Sequence, residues 1–138
     1  MAELFFPGYP PNCPLPGAVL AEGAAFRITK HDPPTEEDFL SLFEIGEQPK
    51  SKPTANQRCR ARSLSIYRNL EDARQHLEMY NHGEGCIAAA VLTPERGMTL
   101  HTPPPNGTRQ SHTEWWCADG QNRHSGFAVI ERQANVDH

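Results

Sequence analysis

Six consecutive residues, Ser111-His112-Thr113-Glu114-Trp115-Trp116, gather two hydroxyls, an imidazole, a carboxylate and both tryptophans of the 138-residue chain. Imidazole titrates near neutrality, so His112 is a natural proton carrier, and the Thr113 hydroxyl beside it would set its tautomer or share a ligand. Glu114 adds an acid, and Trp115 or Trp116 offers a flat surface on which a planar ring stacks. The competing assignment places one tryptophan in the core and the other over a sheet edge, leaving His112 in an ordinary loop hydrogen bond. On the chemical assignment, His112, Thr113 and Glu114 are the catalytic candidates.

Further polar groups sit on earlier segments. Arg27 carries a guanidinium that grips phosphate oxygens in a bidentate way a lysine cannot match, although an arginine on the outer face of a first strand often pairs with a surface carboxylate instead. Ser63 and Ser65 share one face of an alternating segment and could hydrogen-bond a ribose or neighbouring backbone. With Trp115 as a stacking surface, Arg27, Ser63 and Ser65 form the ligand-binding candidates. Arg58, Arg60 and Arg62 would point to one side of an extended strand, with Arg68 close behind, either protecting an edge or forming an anion site.

Several classes are excluded by what is absent. There is no phosphate loop, nucleophile elbow or dinucleotide fingerprint in the chain. The four cysteines, at 13, 59, 86 and 117, never form a C-x-x-C pair, so the expectation is free thiols in a cytoplasmic protein. His101, His112, Cys117 and His124 lack the tight spacing that holds two metal ligands on one turn, and no metal is assigned. A formal charge of −4 argues against a protein that holds nucleic acid by neutralising phosphates. No secretory leader is evident at Met1-Ala2-Glu3-Leu4, and no apolar run is long enough to cross a bilayer.

The elements that must position these groups follow from periodicity and punctuation. Residues 1–23 contain Pro7, Pro10, Pro11, Pro14 and Pro16 with Phe5, Phe6 and Tyr9 between them, which predicts an extended Pro-rich arm, resting on the domain or on a partner rather than hanging free. A strand is expected at 25–29. Thr35, with Asp38 three residues on, predicts a capped helix carrying Phe39, Leu42 and Phe43 and stopping at Gly46. Residues 47–57 read as a surface loop, and Ser63 to Tyr67 alternates as a strand with Leu64 and Ile66 inward.

Asn69 caps a second helix, with Leu70, Ala73, Leu77 and Tyr80 as its apolar stripe. Cys86 to Leu92 reads as a central strand, and the turn at 94–97 predicts a hairpin into Met98-Thr99-Leu100-His101. Strands across the aromatic segment and at 127–131 complete an α+β domain over 24–138, a mostly antiparallel sheet packed by two helices.

The order Phe26-Arg27-Ile28, Pro33-Pro34-Thr35-x-x-Asp38-Phe39, Ser63-Leu64-Ser65-Ile66-Tyr67, Ala73, Ile87-Ala88 and His112-Thr113-x-Trp115 resembles a group of short bacterial proteins of uncharacterised activity, over residues 25 to 131. Ser63 stands where that group more usually has glycine. More distantly, the chain is similar to the ADP-ribosyltransferase fold, in which a first-strand arginine, a Ser-x-Ser-like strand followed by a helix and a late polar residue surround NAD. That resemblance implies Arg27, Ser63 and Ser65, and a late glutamate, Glu114 or Glu131, around NAD. The resulting expectation is a polar cleft of Arg27, Ser65, His112 and Thr113 that binds a nucleotide-like ligand and transfers ADP-ribose from NAD. The alternative, from a different class, is a module without catalysis that binds a protein partner or forms a homodimer through residues 1–23 and a Trp-rich edge.

Overall fold

The computed structural model describes residues 6, 8–46, 53–80, 85–118 and 122–133. The strands are β1 (Val19–Leu20), β2 (Gly23–Thr29), β3 (Leu64–Tyr67), β4 (Gly85–Leu92), β5 (Gly97–His101), β6 (His112–Cys117) and β7 (Ala128–Gln133), and the helices are α1 (Ala55–Arg60) and α2 (Leu70–Tyr80). The strands form a single sheet in the order β1-β5-β6-β3-β2-β4-β7. Every pairing is antiparallel, so the α+β architecture expected from the sequence is the one adopted.

The ladder is uneven, and the unevenness makes the site. β2 and β4 stay in register from Gly23↔Leu92 to Thr29↔Cys86, whereas β2 meets β3 only at Phe26↔Tyr67. Beyond that pair the backbone amides and carbonyls of the two strands no longer satisfy one another and need other partners. Arg27 supplies one: its Nη1 donates to the Ser65 carbonyl at 2.7 Å, while its Nε donates to the Asp38 carbonyl at 2.9 Å. A side chain thus stitches the sheet where its own ladder has parted.

Two apolar clusters hold the layers together. Ala25, Phe39, Leu64, Ile66, Leu92 and Trp115 belong to the larger one, and Tyr67, Ala73, Leu77 and Ile87 form the smaller one beneath α2. Helix α2 starts as expected, with Asn69 Oδ1 accepting from the Asp72 amide at 2.8 Å.

Four expectations are corrected. The segment after Thr35 makes only a single 3₁₀ turn, Glu36–Phe39, because Leu40 turns extended at φ −96° and ψ 136°; Leu42 and Phe43 are exposed rather than forming a core stripe. The stretch read as loop and then as an arginine-bearing strand contains helix α1. Its start is a reciprocal cap, in which Thr54 Oγ1 accepts from the Gln57 amide at 3.1 Å and Gln57 Oε1 accepts from the Thr54 amide at 2.9 Å. Strands β4 and β5 are not a hairpin, since β4 lies between β2 and β7 while β5 lies between β1 and β6. Finally, Cys13 and Cys59 form a disulfide, leaving Cys86 and Cys117 as buried free thiols.

Part of the arm is tied to the domain. Besides the disulfide, Tyr9 Oη donates to the Cys117 carbonyl at 3.3 Å, and β1 joins β5 through Val19↔Thr99 and Leu20↔Met98; Leu4 and Phe5 lie outside the described residues. Gly97 is required where β5 begins: it sits at φ +129°, and a Cβ there would come within 2.0 Å of the Trp116 carbonyl oxygen. No helix among the described residues is long and apolar enough to cross a membrane.

Candidate functional site

Alternation along β6 sorts the six-residue segment into two sets. Thr113, Trp115 and Cys117 face the large apolar cluster, while His112, Glu114 and Trp116 face the other way. Trp115 is fully buried, with Nε1 donating to the Arg96 carbonyl at 3.0 Å, so its ring is not available to stack on a ligand. Thr113 is buried too, and its hydroxyl donates to the Ser111 carbonyl at 3.0 Å rather than to His112. Trp116 is fully buried against α1, donating to the Cys59 carbonyl at 2.9 Å. The Trp-rich edge of the alternative reading is therefore absent, because β6 is an interior strand between β5 and β3.

The other candidates converge. Arg27, Ser63, Ser65, His112 and Glu114 line one hollow of about 500 Å³, within the range of small-molecule sites. Register explains the meeting: β3 and β6 place Ser65 opposite Glu114 and Tyr67 opposite His112. Leu40, Leu42 and Leu64 give the hollow an apolar wall, and α1 contributes Gln57 and Arg60. A second hollow of about 460 Å³, walled by Pro103, Pro104, Pro105 and Tyr67, shares His112 and Arg60 with the first.

The imidazole of His112 is pinned at both nitrogens. Nδ1 lies 2.9 Å from the Thr102 carbonyl and 3.0 Å from the Thr102 hydroxyl, and Nε2 lies 3.0 Å from Ser65 Oγ. A carbonyl only accepts, so the proton of a neutral ring belongs on Nδ1, and Nε2 presents its lone pair to the Ser65 hydroxyl. The ring that fixes this arrangement also meets Tyr67 edge-on at 5.5 Å between centroids.

Glu114 is a buried carboxylate with partners already in place. Arg60 Nε lies 3.1 Å from both of its oxygens, and Ser63 Oγ lies 3.0 Å from Oε1 and 2.8 Å from the Arg60 carbonyl. The hydroxyl has one proton and serves one of these acceptors at a time. Glu131, the other late glutamate, pairs with Arg74 and lines a separate depression beside Leu77 and Ile87. Of the two, only Glu114 reaches the hollow.

Arg27 departs from the usual fate of a strand arginine. Both its hydrogen bonds go to carbonyl oxygens, and no carboxylate among the described residues forms an ion pair with it. Burial pulls its pKa down to about 10, opposed by Cys117 and Asp38 nearby, so the guanidinium remains charged at neutral pH. A half-buried cation with no ion-pair partner among the described residues, resting 5.2 Å from the Phe39 ring centroid on the wall of a cavity, is poised for an anion.

The remaining arginines disperse instead of forming one anion site. Arg58 donates to the Pro53 carbonyl at 2.9 Å, Arg62 lies 3.7 Å over the Phe43 ring, and Arg68 donates to the carbonyls of Glu22 and Ala24 at 3.0 and 2.9 Å. Arg60, expected on an extended strand, reaches the hollow from a helix instead, and Thr102 is a contributor that sequence reading misses. The Thr54-x-x-Gln57 cap could have announced α1 and with it Arg60, whereas nothing in the sequence marks the Thr102 carbonyl. Among the described residues no cluster of histidine, cysteine and carboxylate could hold a metal ion. No family model, curated protein or solved structure matches the chain.

Proposed function

We propose that the hollow binds an anionic, nucleotide-like small molecule, with NAD and ADP-ribose as the leading candidates and ADP-ribosyl transfer as the corresponding chemistry. The single observation that carries this reading is Arg27, a charged guanidinium without an acidic partner among the described residues, set in the wall of a hollow lined with hydroxyls. Arg27 would hold the phosphates, Ser63 and Ser65 would meet ribose hydroxyls, and Leu40 and Leu42 would cover the less polar end. Glu114 would act together with Arg60 and Ser63, which already bracket its carboxylate.

The test is isothermal titration of the full chain with NAD, ADP-ribose and simple nucleotides, repeated on Arg27→Ala. A saturable heat for at least one ligand, weakened at least about tenfold in the variant, is expected for loss of a charge-assisted contact. Flat traces for every ligand would remove the reading. A second reading, self-association through the arm, is favoured by the exposed side chains of Val19 and Leu20 on the edge strand β1. Light scattering over a range of protein concentrations decides it, since a constant monomer mass would rule it out.

A further inference from the structure

We propose that Ser65 and His112 form a nucleophile–base pair that transfers acyl groups from short-chain carboxylic esters, an activity separate from nucleotide binding. The geometry has the three parts such chemistry needs: a hydroxyl, a base within reach of its proton, and an acceptor that orients the base. Ser65 Oγ is 3.0 Å from His112 Nε2, and His112 Nδ1 is 2.9 Å from the Thr102 carbonyl. The backbone carbonyl takes the orienting role that a carboxylate plays in other triads, holding the tautomer whose Nε2 is free to accept. Ser65 is exposed, so an incoming carbonyl carbon can reach Oγ, and the hollow beside it offers both Leu40 and Leu42 for an acyl chain and the positive charge of Arg27 for a developing oxyanion.

The step balances with these groups alone. Ser65 Oγ bonds to the ester carbonyl carbon as its proton passes to His112 Nε2. The tetrahedral adduct then collapses, the bond to the alkoxy oxygen breaks, and Nε2 returns the proton to the departing alcohol. Water attacks the acyl-serine next, giving its proton to Nε2, and Ser65 Oγ recovers that proton as the carboxylic acid leaves.

A fluorophosphonate probe tests the pair, because Oγ displaces its fluoride by the same attack. Intact-mass analysis of the full chain should show one adduct, mapped to the peptide containing Ser65, absent in Ser65→Ala and formed at least about tenfold more slowly in His112→Gln. Circular dichroism checks that each variant is folded. If His112→Gln does not fold, Ser65→Cys replaces it: iodoacetamide should label position 65 at least about tenfold faster than a free thiol of a small peptide, because Nε2 draws off the thiol proton. A wild-type chain that takes no adduct, a Ser65→Ala chain that labels as readily, or a Ser65→Cys thiol no faster than the peptide overturns the proposal. Labelling with flat nucleotide titrations would keep this proposal and remove the other, and the reverse outcome would do the opposite.

Discussion

Helices α1 and α2 cover the sheet by opposite means. α2 is fastened by apolar burial, with Ala73 and Leu77 packed beneath it against Tyr67 and Ile87. α1, only six residues long, is too short to persist by its own hydrogen bonds; it is pinned by a disulfide at Cys59, by the Trp116 indole on the Cys59 carbonyl and by Arg60 on Glu114. An apolar fastening fills the space beneath it. Discrete pins can hold a helix at a distance, and the hollow lies beside the helix held that way. The scaffold and the site therefore differ in how they are secured as well as in what they contain.

That contrast can be broken most sharply at Leu77. Leu77→Ala should lower unfolding free energy by about 2–5 kcal/mol, through lost burial and the cavity left behind, read from urea denaturation. Removing the pin through Cys13→Ser should cost about 2–4 kcal/mol, since the cross-link no longer restrains the unfolded chain. Hydrogen exchange makes the second test sharper: amides of 55–60 should lose protection in Cys13→Ser while those of 70–80 keep theirs. Equal loss in both helices would mean that α1 is not separately held. The smallest effect is expected on the outer side of α2, where Arg74 pairs with Glu71 and Glu131 at the surface. Arg74→Ala should leave the urea midpoint unchanged within error, because solvent screens such pairs and ordering the side chains offsets their attraction.

Where periodicity and a local cap agreed, the sequence was readable. Asn69 with Asp72, followed by Ala73 and Leu77, announced α2, and the alternation through Leu64 and Ile66 announced β3. Thr35 and Asp38 misled because a capping pattern starts a turn but does not extend it; Asp38 uses its carboxylate to accept the Thr35 amide at 2.9 Å and the Lys30 amide at 2.8 Å. The turn it supports ends at Leu40. The β4–β5 hairpin failed for a different reason: two strands joined by a tight connection need not pair when each finds a better neighbour elsewhere in the sheet.

At the site, five of the seven nominated residues line the hollow, and the two exceptions, Thr113 and Trp115, were legible in principle from the period-two alternation that separates them from His112 and Glu114. The Thr102 carbonyl was not legible, since every residue owns one and only tertiary placement gives it a role. Cysteine pairing was equally hidden, because spacing alone does not reveal which of four thiols meet.

The bond between Cys13 and Cys59 spans 46 positions of chain, enclosing β2 and the turn that follows it. A single protease nick anywhere inside that covalent ring leaves both fragments joined. On a denaturing gel run without reductant the nicked molecule shows no separated fragments, and adding a thiol releases two.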